Sequence, residues 1–206
     1  MTAAILLAGG RATRVGGAAK PLFEVGGATL LQHAVTAVSG CEPVVVVGPR
    51  DPSVEGVVWT REDPPFAGPA SAIIAGLVAS PSAHKPWTYV LECDLPGAVA
   101  AVSRLHTARA SAAPTVDGIC LADSEGRPQW LIGVYRTGVL RRVAGDARDA
   151  GRGQSVRSLL SGLRVETVDA PDDETRDVDT WDDLARARAI AIGTPHPRTD
   201  RGGETI

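Results

Sequence analysis

Short runs of Val, Ile and Leu recur along the chain and alternate with segments that have a helical pattern. Runs of this kind, without strict alternation of apolar and polar residues, indicate strands that are covered on both faces. The alternation of strands and helices predicts an α/β fold with a mainly parallel central sheet and helices on both faces. Such sheets bind ligands at the carboxyl ends of their strands. The predicted strands are AAILLAG, PVVVVG, GVVWT, WTYVLECD, PTVDGICLAD, WLIGVYR and LRVETVDA. The predicted helices are ATLLQHAVTAV, ASAIIAGLVAS, VAAVSRLHTARA, SVRSLLSGL and TWDDLARARAIAI.

The length of 206 residues suits one well-packed domain. No internal repeat is visible, and no linker divides the chain. We expect a single domain over residues 1–192. The remaining segment, residues 193–206, is polar and interrupted by Gly and Pro, so it is predicted to be a disordered tail.

Composition and charge exclude several classes of protein. A formal net charge of −3 leaves no excess of Lys and Arg for general binding to nucleic acid. No apolar segment approaches the roughly 20 residues of a membrane helix, and the first apolar run has no basic residues before it, as a signal peptide would. The cysteines, Cys41, Cys93 and Cys120, are too far apart to indicate a disulfide framework or a zinc site. We therefore expect a cytoplasmic protein with no membrane association.

A loop rich in glycine and positive charge follows the first predicted strand, in the stretch ILLAGGRATRVGGAAKPL over residues 5–22. Gly9 and Gly10 have no Cβ, so their backbone amides can approach a ligand closely. Arg14 and Lys20 add positive charge, and backbone amides together with cations suit a polyphosphate. The glycines alone are equally consistent with a flexible turn that carries solvated arginines.

Two common phosphate-binding loops do not fit this stretch. A P-loop has Gly-Lys-Ser/Thr after four intervening residues, whereas Lys20 follows Ala19 and precedes Pro21. A dinucleotide-binding fingerprint has Gly-x-Gly-x-x-Gly at the start of a helix, whereas Pro21 delays the helix here.

The same stretch resembles the signature of nucleotidyltransferases that take a nucleoside triphosphate and release pyrophosphate. The Gly-Gly form, with this distance to the lysine, is most similar to the molybdenum cofactor guanylyltransferase family. Val15 stands where that family usually has Met, and Ala19 stands where it usually has Asp. The resemblance implies a three-layer Rossmann-like nucleotidyltransferase fold.

The resemblance also implies roles for the residues of this loop. Leu7, Ala8, Gly9 and Gly10 would contact the nucleotide. Lys20 would neutralise its phosphates. Arg14 would assist the leaving pyrophosphate.

Two acidic positions match further motifs of the family. Asp94, in YVLECDLPG, follows a buried strand, and an acid there would sit where ligands bind. In the family, the Asp of Leu-x-x-Cys-Asp-x-Pro holds Mg²⁺, a metal that prefers one or two carboxylates together with phosphate oxygens and water. The stretch REDPPFAGPASAIIAGL resembles the segment Asp-x-x-x-x-x-Gly-Pro-Leu-Ala-Ala-Ile, and Asp63 is matched to the acid that lies by the nucleotide.

Two later stretches give weaker matches. DVDTWDDLARAR resembles Asn-x-Asn-Thr-Pro-Glu-Asp-Leu, and Asp179 is the candidate second carboxylate on the metal, with a solvated acidic loop as the alternative. Thr180 and Asp183 have the spacing of a helix capping box. GRPQWLIGVYR resembles the strand Gln-Pro-Leu-x-Ala-Leu-Tyr-Arg, in which Gln129 would face the acceptor substrate, although an ordinary strand explains it equally well.

Taken together, the motifs predict an Mg²⁺-dependent nucleotidyltransferase. By resemblance, the donor is GTP, the acceptor is a molybdopterin-type cofactor, and the expected partners extend to molybdoenzyme-maturation proteins. Two alternatives stay open at this point. One is a cytidylyltransferase or sugar-phosphate nucleotidyltransferase of the same fold. The other is a catalytically degenerate partner that binds nucleotide or pterin, which the residues Val15 and Ala19 motivate.

Overall fold

The computed structural model describes residues 2–10, 18–80 and 84–193. The strands are β1 (Thr2–Leu7), β2 (Glu24–Val25), β3 (Ala28–Thr29), β4 (Val44–Val47), β5 (Val58–Thr60), β6 (Trp87–Glu92), β7 (Gly118–Ala122), β8 (Pro128–Arg136) and β9 (Val165–Asp169). The α-helices are α1 (Leu30–Ala37), α2 (Pro69–Ala79), α3 (Ala98–Ala110), α4 (Thr137–Asp146), α5 (Val156–Leu160), α6 (Asp172–Thr175) and α7 (Trp181–Gly193). Short 3-10 turns occupy Lys20–Leu22 and Arg148–Gly151.

The described strands form a seven-stranded sheet in the order β5-β4-β1-β6-β8-β7-β9. Neighbours are parallel except around β8, which runs antiparallel to both β6 and β7. The prediction of a mainly parallel sheet is therefore confirmed. Because β4, β1 and β6 run in the same direction, their carboxyl ends meet at one edge of the sheet. The site described below lies at this edge.

Helices cover both faces of the sheet, and alternate residues of each strand pack against opposite layers. On β1, Ala4 and Leu6 join the core beneath α1 and α3, whereas Ile5 and Leu7 join the core beneath α2, α4 and α5. This continuous burial explains why the strands read as unbroken apolar runs. Helix α2 approaches β1 very closely at Gly76, where a Cβ would lie only 2.6 Å from Cγ2 of Ile5. Small residues on α2 are thus a packing requirement, as the sequence indicates.

The C-terminal helix packs away from the main sheet, against the small β2–β3 hairpin. Val25, Leu30, Val178, Leu184 and Ala187 form this separate apolar cluster. The hairpin and helix α4 are elements that the sequence patterns do not predict. Helix α1 begins at residue 30, two residues later than expected, because β3 and the capping box of Thr29 precede it.

Helix α7 ends at residue 193, so it includes the first residue of the predicted tail, and residues 194–206 lie outside the described residues. None of the helices in the described ranges is both long enough and apolar enough to pass through a bilayer.

Candidate active site

Two strand ends form the floor of the site. β1 ends at Leu7 and leads into Gly9 and Gly10, and β6 ends at Glu92 and leads into Asp94. The backbone amide of Cys93 donates to the carbonyl oxygen of Leu7 at 3.0 Å, which continues the pairing of the two strands beyond their last register pair. The glycine loop and the acidic turn are therefore held side by side.

A cavity of about 320 Å³ opens at this point. Its walls come from the ends of β1 and β6, the loop before α2 and the first turns of α2. The lining residues are Leu7, Gly9, Gly10, Glu62, Phe66, Gly68, Pro69, Ala72, Glu92 and Asp94. Of the residues predicted to contact the nucleotide, four lie in this lining: Leu7, Gly9, Gly10 and Asp94. Ala8 is buried and faces a smaller neighbouring cavity together with Ala19.

Lys20 connects the strand ends to the C-terminal part of the chain. Its Nζ forms an ion pair with Oδ1 of Asp179 and lies 3.6 Å from Oδ2 of Asp94. Burial alone would lower the pKa of Lys20, but the hydrogen bond to Asp179 and the negative charges of Asp94 and Asp177 raise it above its ordinary value. Lys20 is therefore a permanent cation at neutral pH.

The segment that carries Asp177 and Asp179 is anchored at both ends. The amide of Val178 donates to the backbone oxygen of Asp94 at 3.0 Å. Thr180 and Asp183 form the predicted capping box of α7, with reciprocal hydrogen bonds of 2.9 Å and 3.2 Å. The capping box accounts for the presence of Thr180 at this position. It does not account for Asp177 and Asp179.

Burial and neighbouring negative charges raise the pKa values of the two acids at the end of β6. Burial, followed by the charge of Asp94, raises the pKa of Glu92 to about 8. Burial, followed by the charge of Asp177, raises the pKa of Asp94 to about 6. Oδ1 of Asp94 is buried and has no hydrogen-bond partner among the described residues. Among the described residues, Lys20 is the cation paired with Asp94 and Asp179, and the unpartnered oxygen of Asp94 fits an additional cation.

The donor set agrees with Mg²⁺ rather than with a metal held entirely by protein. Within the described ranges, no group of three or more His, Cys, Asp or Glu side chains is arranged to hold a metal ion. Mg²⁺ usually takes only one or two carboxylates and completes its shell with phosphate oxygens and water. Asp94, with its unpartnered oxygen, and Asp179, on the other side of Lys20, are a suitable pair.

Glu62 lines the cavity, although the sequence analysis did not single it out. It is 7% exposed, and one of its carboxylate oxygens accepts a hydrogen bond of 2.9 Å from the amide of Phe66. Asp63 is exposed and is not part of the cavity lining. The spacing of the family motif favours Glu62 over Asp63. Five residues separate Glu62 from Gly68, as in the motif, whereas four separate Asp63 from Gly68.

Glu92 also lines the cavity and was not singled out from the sequence, although its position in the strand indicates where its side chain points. Glu92 and Asp94 are two positions apart at a strand end, so their side chains point to the same side. Gln129 lies elsewhere, in a polar cavity of about 220 Å³, where its amide donates to Oδ2 of Asp123 at 2.9 Å. Asp177 lines that cavity as well. Arg14 lies outside the described residues.

Comparison with known proteins agrees with this arrangement. The family model of the MobA-like NTP transferase domain matches residues 4–168. A molybdenum cofactor guanylyltransferase of Bradyrhizobium sp. (strain ORS 278) is 35% identical over 204 residues, covering 91% of this chain and 92% of the relative. The chain belongs to the MobA-like NTP transferase family. It is thus a nucleotidyltransferase, and the resemblance drawn from the loop motif is confirmed.

Solved structures support the fold of this MobA-like transferase. Molybdopterin-guanine dinucleotide biosynthesis protein A from Archaeoglobus fulgidus superposes with a TM-score of 0.67 at 19% identity, covering 94% of this chain and 100% of the other. The 2-C-methyl-D-erythritol 4-phosphate cytidylyltransferase from Thermus thermophilus also gives 0.67, at 18% identity, with coverages of 93% and 100%. The Rossmann-like nucleotidyltransferase fold is confirmed, and the fold by itself does not select the base.

Proposed function

We propose that this protein transfers GMP from GTP to a molybdopterin-type acceptor and releases pyrophosphate. The observation that carries the proposal is the convergence of Lys20, Asp94 and Asp179 beside a cavity whose lining includes Gly9 and Gly10. Phosphoryl-type transfer requires mainly positioning and charge neutralisation, and this arrangement offers both. The relatives named as guanylyltransferases of the molybdenum cofactor support the choice of donor and acceptor.

The chain's own groups have distinct tasks in this proposal. The backbone amides of Gly9 and Gly10 would hold the triphosphate, because glycine has no Cβ to keep a phosphate away from its amide. Lys20 would neutralise the charge that builds up on the phosphates during transfer. Arg14 is proposed, from the sequence motif, to meet the departing pyrophosphate.

The metal completes the charge balance. Asp94 and Asp179 would hold Mg²⁺, which when bound neutralises the triphosphate and polarises its phosphoryl oxygens. Among the described residues, Lys20 contacts both of these carboxylates.

Glu62 provides a physical reason for preferring guanine. A Cβ on Gly9 would lie 3.9 Å from Oε1 of Glu62, so this carboxylate lies beside the glycine loop in the lining of the cavity. A carboxylate accepts hydrogen bonds only, and guanine presents adjacent ring and amino N–H donors on one edge. Cytosine lacks that pair of donors, so it would make fewer hydrogen bonds to the Glu62 carboxylate than guanine would.

Pyrophosphate release tests the proposal directly. The protein is mixed with Mg²⁺, a molybdopterin acceptor and, in separate reactions, GTP, CTP or ATP. We expect release with GTP only when the acceptor is present. Faster release with CTP would favour the cytidylyltransferase alternative. Tight GTP binding without release would favour the degenerate partner. The proposal includes the cytoplasmic location and the maturation partners expected from the sequence.

A further inference from the structure

The segment of residues 171–179, here called the acidic segment, is fixed to α3 by a two-pronged ion pair. Nε and Nη2 of Arg104 donate to the two carboxylate oxygens of Glu174 at 2.6 Å and 2.7 Å. The side chain of Glu174 is only 10% exposed, whereas that of Arg104 is 37% exposed. A bidentate pair of this kind fixes orientation as well as distance.

A glycine lets the acidic segment lie directly on the start of α3. A Cβ on Gly97 would lie 2.0 Å from the backbone oxygen of Asp173, so no other residue fits without moving the segment. A few residues later, the amide of Val178 bonds to the backbone oxygen of Asp94. The segment is therefore held at three successive points, and Asp179 follows immediately after the last of them.

We infer that the Arg104–Glu174 pair, together with Gly97, positions Asp179 relative to Asp94 and thereby sets the affinity of the site for the divalent metal. The inference rests on the proposed function and adds positioning residues that lie outside the cavity. None of them is in the lining of the cavity around Gly9 and Gly10. They act by holding two carboxylates near each other in advance, although like charges repel.

The physical argument is one of preorganisation. Asp94 is fixed by the end of β6, which is part of the sheet, but Asp179 lies in a segment with no sheet pairing of its own. Lys20 and the buried Val178 also hold this part of the chain, so without the Arg104–Glu174 pair the acidic segment would keep those contacts but lose its fixed attachment to α3. Metal binding would then have to supply the ordering that the ion pair now provides.

The test compares paired variants, because removing one partner would leave a buried charge unpaired and destabilise the fold. Arg104→Ala/Glu174→Ala removes the link. Arg104→Gln/Glu174→Gln keeps a hydrogen-bonded link without charge. Arg176→Ala is the matched control, because it removes an exposed ion pair with Asp172 inside the segment and leaves the link to α3 intact.

Metal affinity is the main measurement. Mn²⁺ is titrated into each full-length variant with GTP present and followed by electron paramagnetic resonance, and the Mg²⁺ dependence of turnover is measured in parallel. For the Ala pair we expect metal affinity to fall about tenfold, in the range found for residues that orient metal ligands. Turnover at saturating Mg²⁺ should change by less than about twofold, since the reacting groups are unchanged. The Arg104→Gln/Glu174→Gln protein should recover most of the metal affinity. The Arg176→Ala control should bind the metal as tightly as the wild type does.

A second readout needs neither metal nor activity. Trp181, which is 56% exposed, follows Asp179 by two residues and packs at a tilt of 32° against Phe23, with ring centroids 5.2 Å apart. Loosening the segment should make Trp181 more accessible to acrylamide quenching in the Ala pair, with the same measurement on Trp181→Phe proteins as background.

The outcomes separate the inference from the proposed function. If the wild type does not bind Mn²⁺ and GTP, the proposed function fails. If the wild type binds them and the Ala pair binds them equally well, the inference is overturned. A lower melting temperature with unchanged metal affinity also overturns it, because the ion pair would then serve stability alone.

Discussion

The two halves of the site are built in different ways. The donor half consists of the cavity lining around Gly9, Gly10 and Glu62, and it is anchored on the buried ends of β1 and β6. The acidic segment is anchored by the ion pair between Arg104 and Glu174, by backbone contacts and by the burial of Val178. Lys20 bridges the two halves. The comparison shows that the sheet fixes the cavity proposed for the nucleotide, whereas contacts between residues far apart in the sequence fix the segment that carries Asp179.

The largest expected effect comes from comparing the two carboxylates. Asp94→Asn should lower Mg²⁺-dependent kcat/KM by roughly a hundredfold to a thousandfold, because a buried charge on the metal is lost. Asp179→Asn should cost about tenfold, since its side chain is 36% exposed against 19% for Asp94. Steady-state kinetics at limiting Mg²⁺ measures both. Normal turnover by the Asp94→Asn protein would show that Asp94 has only a structural role.

Lys20 tests whether the bridge between the halves is functional. Lys20→Ala should weaken GTP binding by about tenfold or more, through loss of a charged contact to phosphate. Lys85→Ala is the matched control, because Lys85 is the only other lysine and precedes the amino end of β6, at the opposite edge of the sheet. Isothermal titration with GTP measures both variants. Equal losses in the two would show a nonspecific effect of charge.

Within the donor half, Glu62 and its neighbour can be compared directly. Glu62→Gln should lower GTP affinity by about tenfold, because one acceptor oxygen is replaced by a donor. The same change should leave the weaker CTP binding nearly unaltered. Asp63→Asn is expected to have less effect, since Asp63 lies outside the cavity lining. Side-by-side titrations with GTP and CTP decide the matter, and a larger effect at Asp63 would favour the assignment made from the sequence.

The smallest effect concerns the cap that ends the acidic segment. Thr180→Ala should lower the free energy of unfolding at pH 7 by about 1 kcal/mol, as loss of an N-cap does. The hydrogen bond to Thr180 is the largest cause that lowers the pKa of Asp183, so this stabilisation is present above the unfolded pKa and fades as pH falls. Urea denaturation from pH 7 to pH 3 should show the difference shrinking. A constant difference would contradict the cap.

The sequence predicted those parts of the molecule in which local pattern and burial agree. Unbroken apolar runs predicted the sheet, and the loop motif with Lys20 and Asp94 predicted the site, since these residues follow strands at one edge. Glu62 was missed because Asp63 stands beside it, and only the register of the loop before α2 separates the two. Glu92 was missed because it reads as part of a strand.

The other omissions depend on contacts that no local pattern carries. The β2–β3 hairpin has only two residues in each strand, too few to show alternation. The ion pair between Arg104 and Glu174 joins residues 70 positions apart. Nothing in the immediate neighbourhood of either residue distinguishes it from a solvated surface charge. The position of the acidic segment relative to α3 could therefore not be predicted from the sequence.

A double-mutant cycle tests most directly whether the two halves form one site. Metal-dependent GTP binding is measured for wild type, Asp94→Asn, Asp179→Asn and the double variant. If both carboxylates hold the same ion, the second substitution should cost much less in the background of the first, with a coupling of about tenfold, equivalent to about 1.4 kcal/mol. Losses that simply multiply would show that the two carboxylates act independently and would contradict a shared site.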